Sequence, residues 1–194
     1  TLSLPANHVF SFATAAPLPP TIVTPPQART ATMGETVTFN VVASGTTPFT
    51  YQWRKDGAAI QNNPSAQTDT LTLANVRTAA AGDYDCVVTN LARSVTSSSA
   101  RLTVNRAVAT VTLGSLSHVY NGQPKSATVT TVPATLTTVL TYDGASTLPV
   151  NAGSYAVVAT VQDVDYTGSA SGQLVIAPAP ATVVLSNLRQ SYTG

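Results

Sequence analysis

The sequence is poor in the residues that usually carry chemistry or cross-links. Its 194 residues include one cysteine, two histidines, nine basic and eight acidic side chains. A single cysteine excludes a disulfide within the chain. His8 and His118 lie far apart with no cysteine near either, so they do not supply the ligand set of a zinc site. The net charge of +1, without a run of one sign, argues against partners such as nucleic acid or anionic membrane surfaces.

Long apolar runs are also missing. No stretch approaches the roughly 20 apolar residues of a membrane-spanning helix, so we expect no membrane insertion. The chain begins at Thr1 rather than Met and shows no signal-peptide pattern, which favours a mature chain or an excised piece.

β-Branched residues are abundant, with 32 threonines and 24 valines. Such side chains favour pleated strands over helices. No 3.6-residue periodicity of useful length appears. The composition therefore predicts an all-β fold with no helix longer than a turn.

Residues 34–104 show the alternation of a half-buried sheet. Apolar residues alternate with polar ones, as two sheets packed about 10 Å apart require. Ile22 and Val23 are expected to begin the first strand. The alternation then predicts strands at 36–41, 51–54, 70–73 and 83–89, with a last strand through Val95, Leu102 and Val104.

Four residues in this stretch have an informative spacing. Trp53 lies 12 residues after Val41 and 33 before Cys86, and Tyr84 lies two before Cys86. This spacing resembles the immunoglobulin sandwich, in particular the I-set-like modules of large bacterial surface proteins, over residues 20–106. The resemblance implies that Val41, Trp53, Tyr84 and Cys86 belong to the structural core. It also implies that the Tyr84 hydroxyl ties back to the corner before its strand, where Ala80 replaces the usual Asp of the family.

Val41 stands where that family carries the first cysteine of its inter-sheet disulfide. The disulfide therefore cannot form. We expect Cys86 to be a small buried hydrophobe, the alternative being an intermolecular disulfide or a reactive thiol.

The first 19 residues combine a short strand with a connector. Val9, Phe10 and Phe12 lie in an apparent strand over 9–14, whose two phenylalanines point to one face. A single strand cannot bury them alone. The strand is therefore either the end of a preceding β-domain or a strand that pairs with a neighbouring subunit. The five prolines of Pro17–Pro26 predict a stiff linker.

Residues 107–180 form a second predicted module, also all-β. Turn signals such as Asn121–Gly122 and Asp143–Gly144 punctuate it. Its candidate strands are 109–113, 126–131, 136–142, 154–162 and 172–177.

A repeat begins inside this module. ATVTLGSLSHVYNG at 109–122 recurs 72 residues later as ATVVLSNLRQSYTG at 181–194, with seven of 14 positions identical. Such self-similarity is typical of an array, so we expect 181–194 to be the first strands of a third repeat. The stretches 141–147, 151–161 and 165–176 resemble the MBG ("mostly β") modules of bacterial surface and adhesin-like proteins. That resemblance implies a tandem, extracellular array and no catalytic residue.

The remaining polar groups have ordinary interpretations. Asp143, Asp163 and Asp165 lie in turns, and we expect them to cap those turns rather than bind Ca²⁺, which needs six to eight oxygens. The eight acids show no pairing suited to glycoside hydrolysis.

Lysines and tyrosines suggest two further ideas. Lys55 and Lys125 are the only lysines, and Lys55 is expected in solvent rather than in an isopeptide bond to Asn. The tyrosines of the second module could form a sugar-stacking strip, but half-buried strand tyrosines are the favoured interpretation; they are Tyr120, Tyr142, Tyr155 and Tyr166.

These observations favour a structural role over an enzymatic one. We expect no cofactor, metal or catalytic residue, and partners that are copies of the chain or neighbouring β-modules. The hypothesis is a rigid stalk or filament at a bacterial cell surface, with an adhesive role, which either belongs to a longer array or assembles by strand donation between subunits. The alternatives are a module that binds a glycan or host protein through loops 44–50, 57–68 and 90–94, and an accessory segment of a larger secreted enzyme.

Overall fold

The chain folds into two compact units that divide between Asn105 and Arg106. A computed structural model describes residues 15–186, 189, 191, 192 and 194. The sequence placed the boundary one residue later, between 106 and 107. The predicted strand over 9–14, with Val9, Phe10 and Phe12, lies outside the described residues.

Ten strands build the described part of the first unit. Two short 3₁₀ turns, Pro64–Gln67 and Thr78–Ala80, interrupt them. The strands are β1 (Thr21–Thr24), β2 (Arg29–Thr32), β3 (Val37–Asn40), β4 (Val42–Ser44), β5 (Thr50–Lys55), β6 (Ala58–Ala59), β7 (Thr70–Leu73), β8 (Gly82–Thr89), β9 (Ser94–Thr96) and β10 (Ala100–Asn105).

The main sheet of this unit has the order β2-β10-β8-β5-β6, with β9 paired to β8. Strands β3 and β7 pair with each other, as do β1 and β4. The sequence did not predict β2 because its residues, RTAT, show no apolar alternation. Strand β2 runs parallel to β10, with Leu102 opposite Arg29 and Asn105 opposite Thr32. Only that tertiary neighbour makes these residues a strand.

The predicted strand over 36–41 ends earlier than its pattern indicated. The structure divides it at Val41, between β3 and β4, where the Val41 N–H donates to the Asp69 carbonyl at 2.9 Å. Val41 stays buried, at 3% exposure, so the apolar alternation continues through the break.

The first unit is packed around the inward residues of β8. Along this strand Gly82, Tyr84, Cys86 and Val88 are buried while their neighbours are half-buried. Trp53 on β5 lies directly opposite Cys86 in the register. Burial of the core is the main stabilising term, at about 25 cal/mol per Å² of apolar surface removed from water.

Eight strands build the second unit. They form a four-stranded sheet in the order β13-β18-β16-β15, together with the pairs β12–β14 and β11–β17. Each predicted strand has a counterpart, but three short strands, β11, β13 and β17, were missed. The strands are β11 (Ala107–Val108), β12 (Thr110–Gly114), β13 (Ser117–Val119), β14 (Thr128–Val132), β15 (Thr138–Tyr142), β16 (Gly153–Val161), β17 (Tyr166–Thr167) and β18 (Ser169–Ala177).

The core of the second unit is smaller than that of the first. Partly buried leucines and Tyr155 surround its buried cluster. Gly168 allows β11 and β17 to meet, because a Cβ there would lie 2.5 Å from the Ala109 carbonyl oxygen. The buried cluster consists of Ala127, Tyr142, Val157, Leu174 and Ile176.

Residues 181–186 lie outside the strands. Val183, Val184 and Leu185 are exposed, at 80%, 81% and 70%. That this stretch begins a third repeat remains a prediction.

Candidate functional site

The four core positions singled out by sequence are all buried in the first unit. Val41, Trp53, Tyr84 and Cys86 are 3%, 0%, 2% and 0% exposed and belong to one cluster. The Phe39 ring stacks on Tyr84 at a centroid separation of 5.0 Å and tilts against Trp53 at 6.2 Å. These residues therefore hold the two sheets together and leave no cavity for a ligand between them.

The polar atoms of the two large core side chains have backbone partners. Trp53 Nε1 donates to the Thr68 carbonyl at 2.9 Å. The Tyr84 hydroxyl donates to the Ala80 carbonyl at 2.7 Å, across the corner between the second 3₁₀ turn and β8. Burial raises the pKa of Tyr84 to about 12. The tyrosine is a structural tie and stays protonated at neutral pH.

Cys86 has the environment of an unreactive thiol. It is free and fully buried, and its Sγ lies 3.8 Å from the Val87 carbonyl oxygen. Burial raises the pKa of the thiol to about 12. Because the thiolate is the nucleophile, the folded chain does not present Cys86 as a reactive group at neutral pH.

The solvent side of the main sheet in the first unit carries charges in pairs. Arg54 on β5 and Asp85 on β8 make a bidentate contact, with Nε–Oδ1 at 2.7 Å and Nη2–Oδ2 at 2.9 Å. Arg101 reaches Asp83 at 3.2 Å. The sequence analysis missed these pairs, although arginine and aspartate at outward positions of adjacent strands were a usable signal.

A third cluster of charge lies at the end of β5. The Asp83 N–H donates to Asp56 Oδ1 at 2.9 Å, and Lys55 Nζ lies 3.2 Å from Asp56 Oδ2. The backbone hydrogen bond, followed by the contact with Lys55, lowers the pKa of Asp56. Lys55 therefore pairs with a carboxylate at the surface.

The aspartates of the second unit hold turns and strand ends. Asp143 Oδ1 accepts from the Ala156 N–H at 2.8 Å, and Asp163 Oδ1 accepts from the N–H groups of Asp165 and Tyr166. Within the described residues, no group of three or more His, Cys, Asp or Glu side chains is placed to hold a metal ion.

The other predicted polar candidates have local partners. His118 Nε2 lies 2.8 Å from the Ser115 carbonyl oxygen, and Lys125 Nζ lies 2.6 Å from Asn121 Oδ1, both at the surface. His8 lies outside the described residues.

The four tyrosines of the second unit do not form one exposed strip. Tyr142 is 4% exposed, and its hydroxyl oxygen accepts from the Ala127 N–H at 2.9 Å. The hydroxyl of Tyr155, which is half-buried, donates to the Asn151 carbonyl at 2.9 Å. Tyr166 is also half-buried, and Tyr120 is 39% exposed.

Two of the predicted end loops line shallow clefts. One of about 400 Å³ is bordered by Ile60, Gln61, Asn62, Pro64 and Gln67, together with Asn63. Asn63 is occupied in the fold, since it caps the first 3₁₀ turn through Ser65 and donates to the Thr72 carbonyl at 2.9 Å.

The other cleft, of about 250 Å³, lies between the loops at 44–50 and 90–94. Pro48, Leu91 and Asn90 contribute to its lining, and Leu91 is 86% exposed. Asn90 Nδ2 joins this end of the unit by donating to the carbonyls of Leu18 and Thr46, at 2.7 and 2.8 Å. The cleft is an open, mostly apolar surface without an ionisable group in its lining.

Comparison with known domain families identifies both units. Residues 19–90 match the model of the immunoglobulin domain, and residues 109–180 match the model of the MBG domain. The chain therefore carries an immunoglobulin domain followed by an MBG domain, in the order that the sequence resemblances predicted.

One curated relative and several solved structures are similar to parts of the chain. The human leucine-rich repeats and immunoglobulin-like domains protein 1 is 34% identical over 104 residues, covering 45% of this chain and 10% of that protein. The chain thus spans about a tenth of the length of this relative. Titin domain M7 is 32% identical, covering 47% of this chain and 99% of that one, with a TM-score of 0.42. Titin domains z1z2, solved in complex with telethonin, are 23% identical over 86% of this chain and 100% of that one, with a TM-score of 0.43.

The two domain types fit an extracellular structural or adhesion-type module and point to non-enzymatic modules. None of the helices in the described part of the chain is long and apolar enough to cross a membrane.

Proposed function

We propose that this immunoglobulin–MBG pair is a structural segment of a rigid stalk or filament on a bacterial cell surface, with an adhesive role. The observation that carries the proposal is the position of the strand through which the chain leaves each unit. Strand β10 lies between β2 and β8, and β18 lies between β13 and β16. Both are interior strands, hydrogen-bonded on two sides.

Interior exit strands suit a segment that transmits tension. A pull along β10 acts in shear on its four-residue parallel register with β2, so several hydrogen bonds share the force. Strand β18 is paired with β16 over eight residues, from Gly153–Ile176 to Thr160–Ser169. A helix pulled from its end opens its hydrogen bonds one after another, whereas these ladders resist together.

The connection between the units supports the same role. The Asn105 carbonyl accepts from the Met33 N–H at 2.8 Å within the first unit, and the Ala107 N–H donates to the Asp165 carbonyl at 2.8 Å within the second. Only Arg106 lies between these two anchored residues. Since a joint of one residue has few free backbone dihedrals, we expect a stiff connection.

Pulling single molecules of the full chain between its ends tests the proposal. We expect two separate unfolding events, one for each unit, at forces well above those that unfold α-helical domains. Extension without a resolved force peak would refute the structural role. An electron micrograph of the native material would then distinguish a filament from an isolated protein.

Assembly by strand donation is the sharper form of this proposal. Val9, Phe10 and Phe12 would add a strand to a sheet edge of a neighbouring subunit, because an extended apolar segment pairs readily with a free edge. Deleting residues 1–16 should abolish filaments, and replacing Phe10 and Phe12 by Ser should weaken them. Filaments that persist in the deletion variant would refute donation by this segment.

A glycan-binding role is the second candidate, and the amide-lined cleft favours it. Gln61, Asn62 and Gln67 are exposed around this cleft, where amides could bind sugar hydroxyls. A glycan array with the full chain should then give hits that Asn62→Ala weakens and that Asn151→Ala, in the second unit, leaves unchanged. An array without hits would refute this candidate.

A further inference from the structure

The four-stranded sheet of the second unit presents a solvent face without a charged side chain. Its outward positions alternate with the buried ones that form the core, as the pleat requires. Within the described residues, these positions define the uncharged face: Ser117, Val119, Val139, Thr141, Ser154, Ala156, Val158, Thr160, Ser169, Ser171, Gln173, Val175 and Ala177.

Exposed valines are spread across this face. Val139, Val158 and Val175, on three neighbouring strands, are 45%, 39% and 41% exposed, and Val119 on the fourth is 54% exposed. A solvated antiparallel sheet usually places polar residues outward. The first unit follows that rule, since its main sheet carries the Arg54–Asp85 pair on its solvent side. The two units therefore treat their solvent faces differently.

The uncharged face is built from short side chains. Val158, in the middle of interior strand β16, lies opposite Thr141 on β15 and Ser171 on β18. Gln173 is the only long side chain in the set. Asp143 lies beside the face, but its Oδ1 accepts from the Ala156 N–H and caps the strand end. Short side chains allow a second sheet to approach to the usual packing distance of about 10 Å.

Electrostatics selects the kind of partner. A charged surface laid on this face would lose its water without gaining an opposite charge or a hydrogen-bonding partner for each ion, which is costly. The complementary partner is itself uncharged, flat and β-branched, and a second copy of the chain supplies such a surface. We infer that two copies pack their MBG units through the uncharged face, sheet against sheet.

The area of the face sets the strength of this contact. Each outward side chain occupies about 32 Å² of a sheet, from strand spacings of about 4.8 Å and alternate residues about 6.6 Å apart. The face then covers about 400 Å² on each copy, or about 800 Å² on both, which is below the roughly 1,000 Å² of a stable interface. A single contact is therefore weak, and tandem repetition of such units would strengthen it through multivalency. The inference rests on the structural role proposed above and adds lateral association to it.

Sedimentation of the full 194-residue chain tests the inference. We expect concentration-dependent dimers below about 500 µM, a range suited to a small interface. Val158→Lys and Val158→Glu should each weaken association at least about tenfold, because like charges meet across the contact. An equimolar mixture of the two variants should restore it. The control Thr112→Lys, at an exposed position of β12 in the other sheet of the unit, should associate like the wild type.

Three results would overturn the inference. They are a wild type that stays monomeric at that concentration, a Val158→Lys variant that associates normally, and a Thr112→Lys control that loses association equally. If circular dichroism shows that Val158→Lys is unfolded, Ser171→Glu provides the same test from β18. A monomeric wild type that instead binds glycans through this face would assign a different occupant. Failure here leaves the stalk proposal intact, since the pulling experiment measures single molecules.

Discussion

Replacing Tyr84 by Phe should destabilise the first unit and leave the second unchanged. The ring is 2% exposed, and its hydroxyl donates to the Ala80 carbonyl at 2.7 Å. Phenylalanine keeps the ring stack with Phe39 and removes only the hydrogen bond. Such a bond contributes about 0.5–1.5 kcal/mol net. Because Ala80 is only partly exposed, its carbonyl regains little water, and we expect a loss of about 1.5 kcal/mol.

The assay uses the single tryptophan of the chain. Trp53 is fully buried in the first unit, so its fluorescence reports the unfolding of that unit alone. Urea unfolding followed by this signal gives the free energy of the first unit, and far-UV circular dichroism adds the second. A loss of 1.5 kcal/mol corresponds to a melting temperature lowered by about 6–12 °C for a domain of this size.

Tyr155→Phe provides the matched control. It removes a hydroxyl that donates to the Asn151 carbonyl at 2.9 Å, but in the second unit. The Trp53 transition should not respond to it. If Tyr84→Phe changes the free energy by less than about 0.5 kcal/mol, the scatter of ordinary surface substitutions, or if the control shifts the transition equally, the tie between Tyr84 and the Ala80 carbonyl does not stabilise this unit.

Three further predictions concern the same unit. Burial raises the pKa of Cys86 from 9.0 and that of Tyr84 from 10.0, each to about 12, so both groups bind protons more tightly when folded. The stability they contribute is fully present below about pH 9 and is lost as the pH rises towards 12; a Trp53 unfolding series that is flat over this range would contradict it. Cys86 should react with a thiol reagent only as fast as the unit opens, and rapid reaction of the folded chain would show that the thiol is accessible. A double-mutant cycle on Arg54 and Asp85 should give a coupling of about 1 kcal/mol that falls with added salt, whereas zero coupling would make their bidentate contact irrelevant to stability.

Much of the fold could be predicted because the two sheets of the first unit bury one face of each strand. Alternation located the strand that became β8, and the spacing of Trp53, Tyr84 and Cys86 located both sheets around one core. Strand β2 escaped prediction because it is an edge strand with one buried residue, Ala31, and takes its pairing from β10. The short strands β11, β13 and β17 escaped because two or three residues are too few to show a period.

The candidate surfaces were less visible in the sequence. Serine and valine at alternating positions of β18 look like any half-buried strand when each residue is considered alone. Their meaning appears only when β18 is placed between β13 and β16, because the register then brings Val158, Ser171 and Thr141 into one row. The same holds for Arg54 and Asp85, which are 31 residues apart and form an ion pair only through the β5–β8 ladder.

Composition and local pattern were enough to establish an all-β chain with two domains and a core built on one tryptophan, since β-branched content and a period of two are properties of neighbouring residues. Which strands become interior, which charges meet and which face is left without charge depend on hydrogen-bonded pairing between distant segments. That pairing is set by the packing of the whole sheet, and no local stretch of the chain contains it.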